Sequence, residues 1–162
     1  MSIIRTLSHL FERFDLRLTG WMARYSVLIL RLSLGVVFFW FGVLKFFPGL
    51  SPAQDLAMRT IEQLTLGLIP ARISLPILAT WECLIGVGLI AGRFMRLTLF
   101  LLWLQMIGTI TPIFFFPGEV FMHIPYAPTL EGQYILKNIV LISAGLVIGA
   151  TVRGGRLVAD PR

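Results

Sequence analysis

Long apolar runs alternate with short polar stretches along this chain, and the run lengths decide which elements form. A helix needs about 20 apolar residues to cross the hydrocarbon of a bilayer. Four runs approach that scale, at about 26–47, 75–91, 97–116 and 133–152, and each is predicted to be a membrane-spanning helix. The first ends at Pro48-Gly49 and the last at Arg153-Gly154-Gly155-Arg156, ahead of a tail over 153–162. The third contains Pro112, which has no N–H to donate and is expected to kink the helix near its far end. Residues 1–25 mix Leu, Ile, Phe and Trp with Arg5, Glu12, Arg13, Asp15, Arg17 and Arg24, the composition of a helix lying in the interface. Trp21 and Tyr25 then mark the headgroup level. Ser51-Pro52 reads as an N-cap with a first-turn proline, so residues 52–66 are predicted to form a short amphipathic helix outside the hydrocarbon. A Pro-containing loop over 117–132 leads into the fourth span. The predicted fold class is all-α, a four-helix transmembrane bundle with an N-terminal interfacial helix and one short outer helix.

Within the spans the polar residues recur at helical spacing. Arg31, Gly35, Phe38, Gly42 and Lys45 are separated by four, three, four and three residues, which places them on one face of the first helix. Gln105, Gly108, Thr109 and Pro112 form a second stripe, and Asn138, Ile142, Gly145 and Gly149 a third, with Lys137 one position round. Glu82 is the lone acid of the second span, one turn from Gly86. A charged group near the bilayer centre costs about 2.5–3.5 kcal/mol on insertion scales, so such residues face a bundle interior and pair with one another. Glycines let the backbones approach closely enough for this. A rise of about 1.5 Å per residue puts Lys45 and Lys137 near one boundary, Glu82 deeper, Gln105 near the middle and Arg31 near the opposite end. Glu82 is therefore the expected counter-ion of a lysine. A purely structural account runs in parallel: the lysines and Arg31 snorkel, the ion pair fixes helix register, and Gln105 and Asn138 bond across helices.

Composition narrows the function classes. With 57% hydrophobic residues and a mean hydropathy of +0.86, the chain has too little polar surface to coat a soluble globule. The net charge of +6 does not indicate a nucleic-acid partner, because most arginines flank apolar runs, where they meet anionic lipid headgroups. Nine of them (Arg5, Arg13, Arg17, Arg24, Arg93, Arg96, Arg153, Arg156 and Arg162) fall on one side of the four spans, against Arg59 and Arg72 on the other. The positive-inside rule then places both termini in the cytoplasm and loops 48–74 and 117–132 outside. A single cysteine, Cys83, excludes an intramolecular disulfide or a Cys-x-x-Cys pair within the chain. His9 and His123 lie outside the spans, so haem cannot be ligated by two histidines between helices. Glu119 and His123, four residues apart in a loop, supply at most two ligands, and no metal site is expected.

The run Phe38-Phe39-Trp40-Phe41-Gly42-Val43-Leu44-Lys45-Phe46, together with Arg31, Trp81-Glu82-Cys83-Leu84-Ile85-Gly86 and Gly132-Gln133-Tyr134-Ile135-Leu136-Lys137-Asn138-Ile139-Val140, resembles the DoxX-like family of small bacterial membrane proteins over about 26–152. The Gly-x-x-Lys end of the first span and the Glu-x-x-x-Gly of the second carry most of the likeness. The fourth-span Lys137 is most similar to the subgroup linked to resistance to reactive chlorine. The resemblance implies a four-helix plasma-membrane protein associated with redox or oxidative stress, some relatives being subunits of a thiosulfate:quinone oxidoreductase.

Residues and resemblance together give an accessory or ligand-binding subunit rather than an enzyme acting alone. Its expected ligand is small and hydrophobic or anionic, with a quinone as the candidate cofactor and a partner protein expected at the outer face. The candidate ligand-binding residues are Lys45, Glu82, Lys137, Asn138, Gln105 and Arg31. Intramembrane charges also serve small proton-coupled carriers, and a scaffold with structural charges is the third reading.

Overall fold

In the computed structural model, which describes residues 2–47, 49–51 and 53–159, each predicted span is helical. Pro48, Pro52 and Arg162, which the sequence marks as a span end, a first-turn proline and a tail cation, lie outside the described residues. Helix α1 covers Ser2–Leu44 without a break. The boundary predicted at residue 25 is therefore not marked in the backbone: no proline interrupts this stretch, so the mixed N-terminal residues continue the helix of the first span. The stretch of it that contains the apolar span, Phe11–Leu44, has 34 residues and is about 51 Å long at 1.5 Å per residue. That exceeds a hydrocarbon core of about 30 Å, so part of α1 must project beyond it.

The remaining elements are α2 (Gln54–Leu64), α3 (Ala71–Ala91), α4 (Met95–Ile110), α5 (Pro112–Phe115), α6 (Pro117–Val120), a two-stranded ribbon of β1 (Phe121–His123) and β2 (Ala127–Pro128), and α7 (Leu130–Thr151). The N-cap of α2 is Ala53 rather than Ser51, because Ala53 has φ 54° and a left-handed residue cannot sit inside a right-handed helix. Pro112 ends α4 as its chemistry demands. It offers no N–H to the carbonyl of Gly108, and the hydroxyl of Thr111 donates to that oxygen instead at 2.6 Å. The loop expected over 117–132 is more ordered than its composition suggests. Phe121 pairs with Pro128 and His123 with Ala127, and Thr129 caps α7 by accepting from the Gly132 N–H at 3.1 Å.

Among the described residues four helices are long and apolar enough to span a membrane, and they form the all-α bundle of a multi-pass membrane protein. They pack in a ring, α1 on α3, α3 on α4, α4 on α7 and α7 back on α1. Leu34, Phe38, Ile85, Leu89, Leu102 and Ile148 fill the centre. The polar stripes point inward: Gly35, Gly42, Glu82, Gly86, Gln105 and Gly145 are all buried. Helices α1 and α3 cross backbone against backbone, since a Cβ on Gly86 would lie 2.5 Å from the Phe39 nitrogen.

A second cluster, Leu56, Val120 and Ile135 with Ala53, Ile113, Phe116 and Phe121, ties α2 and the 117–128 segment over one end of the bundle. Arg59 of α2 clasps Glu119 through both guanidinium nitrogens, Nη1 to Oε1 at 2.6 Å and Nη2 to Oε2, and lies over the Phe116 ring at 5.2 Å. The guanidinium holds the Glu119 carboxyl below the usual glutamate range. A carboxyl depressed in the folded state stabilises the fold above its unfolded pKa and loses that contribution as pH falls through the folded one. Glu119→Gln is therefore expected to melt below the wild type at neutral pH, with the gap closing on acidification below the ordinary carboxylate range; a gap independent of pH would refute this.

Candidate functional site

Glu82 lies on the inner face of α3 with Ala79, Ile85 and Leu89, and is 7% exposed. Two neighbours reach it. Lys45, just past the end of α1, places Nζ 2.6 Å from Oε2, and Gln105 of α4 donates from Nε2 to Oε1 at 2.6 Å. The approach of Lys45 depends on Gly42, three residues earlier on the same face. A Cβ there would lie 2.9 Å from the Cys83 nitrogen and 3.0 Å from the Glu82 Cβ, so only glycine lets α1 come this near. Trp81 fixes the other side by donating from its indole nitrogen to the Leu101 carbonyl at 3.1 Å. Leu101 is one turn from Gln105, so the bond pins α3 to α4 beside the site.

Lys45, Glu82 and Gln105 thus form one chain of contacts across three helices. The ion pair is neutral overall and mostly desolvated, with side chains 13% and 9% exposed. One valence is left open: Gln105 Oε1 is buried and has no hydrogen-bond partner among the described residues. Most buried polar atoms in folded proteins are satisfied, so an exception is informative.

The other candidate residues stand apart. Arg31 donates from Nη1 to the Leu89 carbonyl at 2.8 Å, one of the oxygens left without a partner at the C-terminus of α3. It is 14 residues from Lys45 on α1, about 21 Å along the axis. A cation there complements the helix dipole, which is a structural task. Lys137 is exposed, with Nζ over the Tyr134 ring at 5.7 Å, and nothing connects it to Glu82 among the described residues. Asn138 on α7 is half-buried.

The Arg59–Glu119 clasp escapes sequence reasoning because the partners are 60 residues apart and share no local spacing. Glu119 turns to Arg59, while His123 stacks on Tyr126 at 6.1 Å; among the described residues no three His, Cys, Asp or Glu side chains gather as metal ligands would. A cleft of about 600 Å³ lies beside the clasp, bordered by Asp55, Arg59, Glu119, Thr129 and Glu131.

The DoxX family model matches residues 26–123, well over half of the chain. This chain belongs to the DoxX family. No protein of curated function and no solved structure matches it significantly. The DoxX match contains Arg31, Lys45, Glu82 and Gln105, so the whole contact chain lies within the family domain. It stops before α7, so Lys137 and Asn138 fall outside it, although the resemblance read from the sequence runs on to about residue 152.

Proposed function

We propose that this DoxX family member is an accessory, ligand-binding subunit of a redox or oxidative-stress system in the bacterial plasma membrane, with a quinone-like ring bound beside Glu82. The observation that carries this reading is the buried Lys45–Glu82–Gln105 chain with its one open acceptor. A pair that only fixed helix register would gain nothing from an unsatisfied amide oxygen, which costs about 1–3 kcal/mol where it is buried. A ligand group in that position recovers the loss. The ligand set is Lys45, Glu82 and Gln105, while Arg31 serves as a helix-end anchor. With a single cysteine, Cys83, any dithiol chemistry belongs to a partner. The arginine asymmetry puts both termini in the cytoplasm and the α2 cap outside, where the partner would dock.

The test is extraction in mild detergent followed by absorbance and mass analysis of what co-purifies. A ring compound of the quinone class is expected with the wild type and not with the Lys45→Met, Glu82→Gln double variant. An empty wild-type bundle that takes up neither oxidised nor reduced quinone would overturn the proposal.

A further inference from the structure

The first half of α1 carries an apolar seam that the described residues of its own chain leave uncovered. Phe11, Phe14, Leu18, Trp21, Tyr25 and Leu28 are separated by three, four, three, four and three residues, the heptad spacing with which one helix packs along another. All six are exposed, from 37% at Tyr25 to 69% at Phe11, and none of residues 11–25 is buried. The bundle ends well short of them. The Arg31 guanidinium lies where a Cβ on Gly92, the residue that caps α3, would be. Phe11 comes 20 residues before Arg31, about 30 Å further along the axis. The charged residues of this stretch, Glu12, Arg13, Asp15, Arg17 and Arg24, all fall outside the seam.

A lipid surface and another helix could each cover such a seam, and the helix fits better. To lie on a membrane, these residues would have to turn sharply out of the axis of the span. Sharp kinks arise at proline, at Gly/Ser pairs or at bulges, and α1 runs unbroken over Ser2–Leu44 without any of these. Helices that bind anionic lipid are rich in Lys and Arg on the polar face, whereas here Glu12 and Asp15 stand among three arginines. A second copy of the chain meets the seam on its own terms. Copies inserted with one topology stand parallel in the membrane, so the seam of one faces the same seam of the other at equal height. At the positions that flank a parallel seam, Arg17 faces Met22 of the second copy and Arg24 faces Ile29, so no like charges oppose. The six side chains expose roughly 600 Å² per copy, so pairing removes on the order of 1,000 Å² from water across both, the scale of a specific interface.

We infer that the protein pairs with a second copy of itself through a parallel coiled coil formed by residues 11–28 of α1. Phe11, Phe14 and Leu18 make its outer part. Trp21 and Tyr25, with ring centroids 5.7 Å apart, form its foot at the headgroup level, where the indole N–H and the phenol O–H stay in contact with water. The face of α1 that packs within the bundle, through the buried Gly35, Phe38 and Gly42, is not used, so two bundles join without repacking. The inference is independent of any ligand at Glu82.

Disulfide trapping of the full-length protein in lipid vesicles, with copper phenanthroline as oxidant, tests the pairing. Leu18→Cys lies on the seam, and Leu16→Cys lies on the opposite side of the helix. The wild type, whose one cysteine is Cys83, sets the background. Leu18→Cys is expected to form a covalent dimer about tenfold faster or more than Leu16→Cys or the wild type, because pairing holds the two thiols at high effective concentration. Adding Phe14→Glu to Leu18→Cys is expected to slow trapping by about tenfold or more, with thermal unfolding unchanged because Phe14 touches no buried residue's place in the core. Equal trapping at positions 16 and 18, no trapping at either, or trapping that Phe14→Glu leaves undiminished would each overturn the proposal. A nitroxide on Leu18→Cys that is reached freely by oxygen dissolved in the lipid would overturn it too, and would assign the seam to the membrane surface.

Discussion

Replacing Lys45 with methionine is expected to cost about 3–5 kcal/mol of stability, because it strands Glu82 as a buried charge with no counter-ion. Glu82 is 7% exposed, and among the described residues its acidic side chain has only two donors, Lys45 and Gln105. Losing the ammonium leaves one neutral amide to solvate a carboxylate in a low-dielectric interior. The converse change is milder. In Glu82→Gln the lysine sits at the end of α1 with its amine already directed toward the Phe41 carbonyl, and a flexible four-carbon stem lets it move to the boundary. The double variant Lys45→Met, Glu82→Gln should recover most of the loss, since replacing both members of a buried pair is often close to neutral. Thermal unfolding of the four proteins in one detergent closes the cycle. A single Lys45→Met variant as stable as the double would show that Glu82 is not stranded as a charge once the ammonium is gone, and a double variant whose loss equals the sum of the two singles would show no coupling within the pair. The same cycle separates stability from binding: the double variant should be folded and empty.

The bundle was legible in the sequence because span length and polar spacing are local quantities. Run lengths place the starts of α3, α4 and α7 to within about four residues but not that of α1, which begins far ahead of its predicted span, and the spacing of Gly35, Phe38, Gly42 and Lys45 puts on one face residues that do pack inward together. The pairing of Glu82 with a lysine follows from cost alone, because an acid in mid-span needs a counter-ion. Choosing Lys45 over Lys137 does not follow. Both lie at similar depth by rise per residue, and the choice depends on which helix crosses α3 closely, which is set by the contact of Gly42 with Cys83 and of Gly86 with Phe39. Arg31 is misleading for a related reason: it shares the stripe of Lys45, yet its partner is a main-chain oxygen at the end of another helix, and backbone acceptors leave no mark in a sequence. The clasp of Arg59 on Glu119 and the ribbon over 121–128 are non-local pairings of the same kind. The open oxygen of Gln105 is visible only once its amide nitrogen has been assigned to Glu82.

Gly86→Ala is expected to be the most damaging single methyl group that the α1–α3 contact can receive. The new Cβ would sit 2.5 Å from the backbone nitrogen of Phe39 and 2.7 Å from its Cα, and neither atom can rotate away as a side-chain tip would. Helix α1 must then retreat from α3 along a contact that also includes Gly35, where a built Cβ would lie 3.0 Å from the Gly86 carbonyl oxygen. Overpacking a well-filled core costs about 1–3 kcal/mol, and here the retreat also lengthens the Lys45–Glu82 contact, so the two penalties fall on one mutation. The loss is therefore expected to exceed about 3 kcal/mol. Gly20→Ala supplies the control, because a Cβ on Gly20 meets nothing within 4 Å and alanine is the better helix former by about 1 kcal/mol. Thermal unfolding and monodispersity in detergent would compare the two: Gly20→Ala at or above the wild type, Gly86→Ala far below it. If Gly86→Ala instead matched the wild type, α1 and α3 would not cross where Phe39 meets Gly86. The close approach that brings Lys45 within reach of Glu82 would then have no basis, so this one methyl group tests the packing on which the site depends.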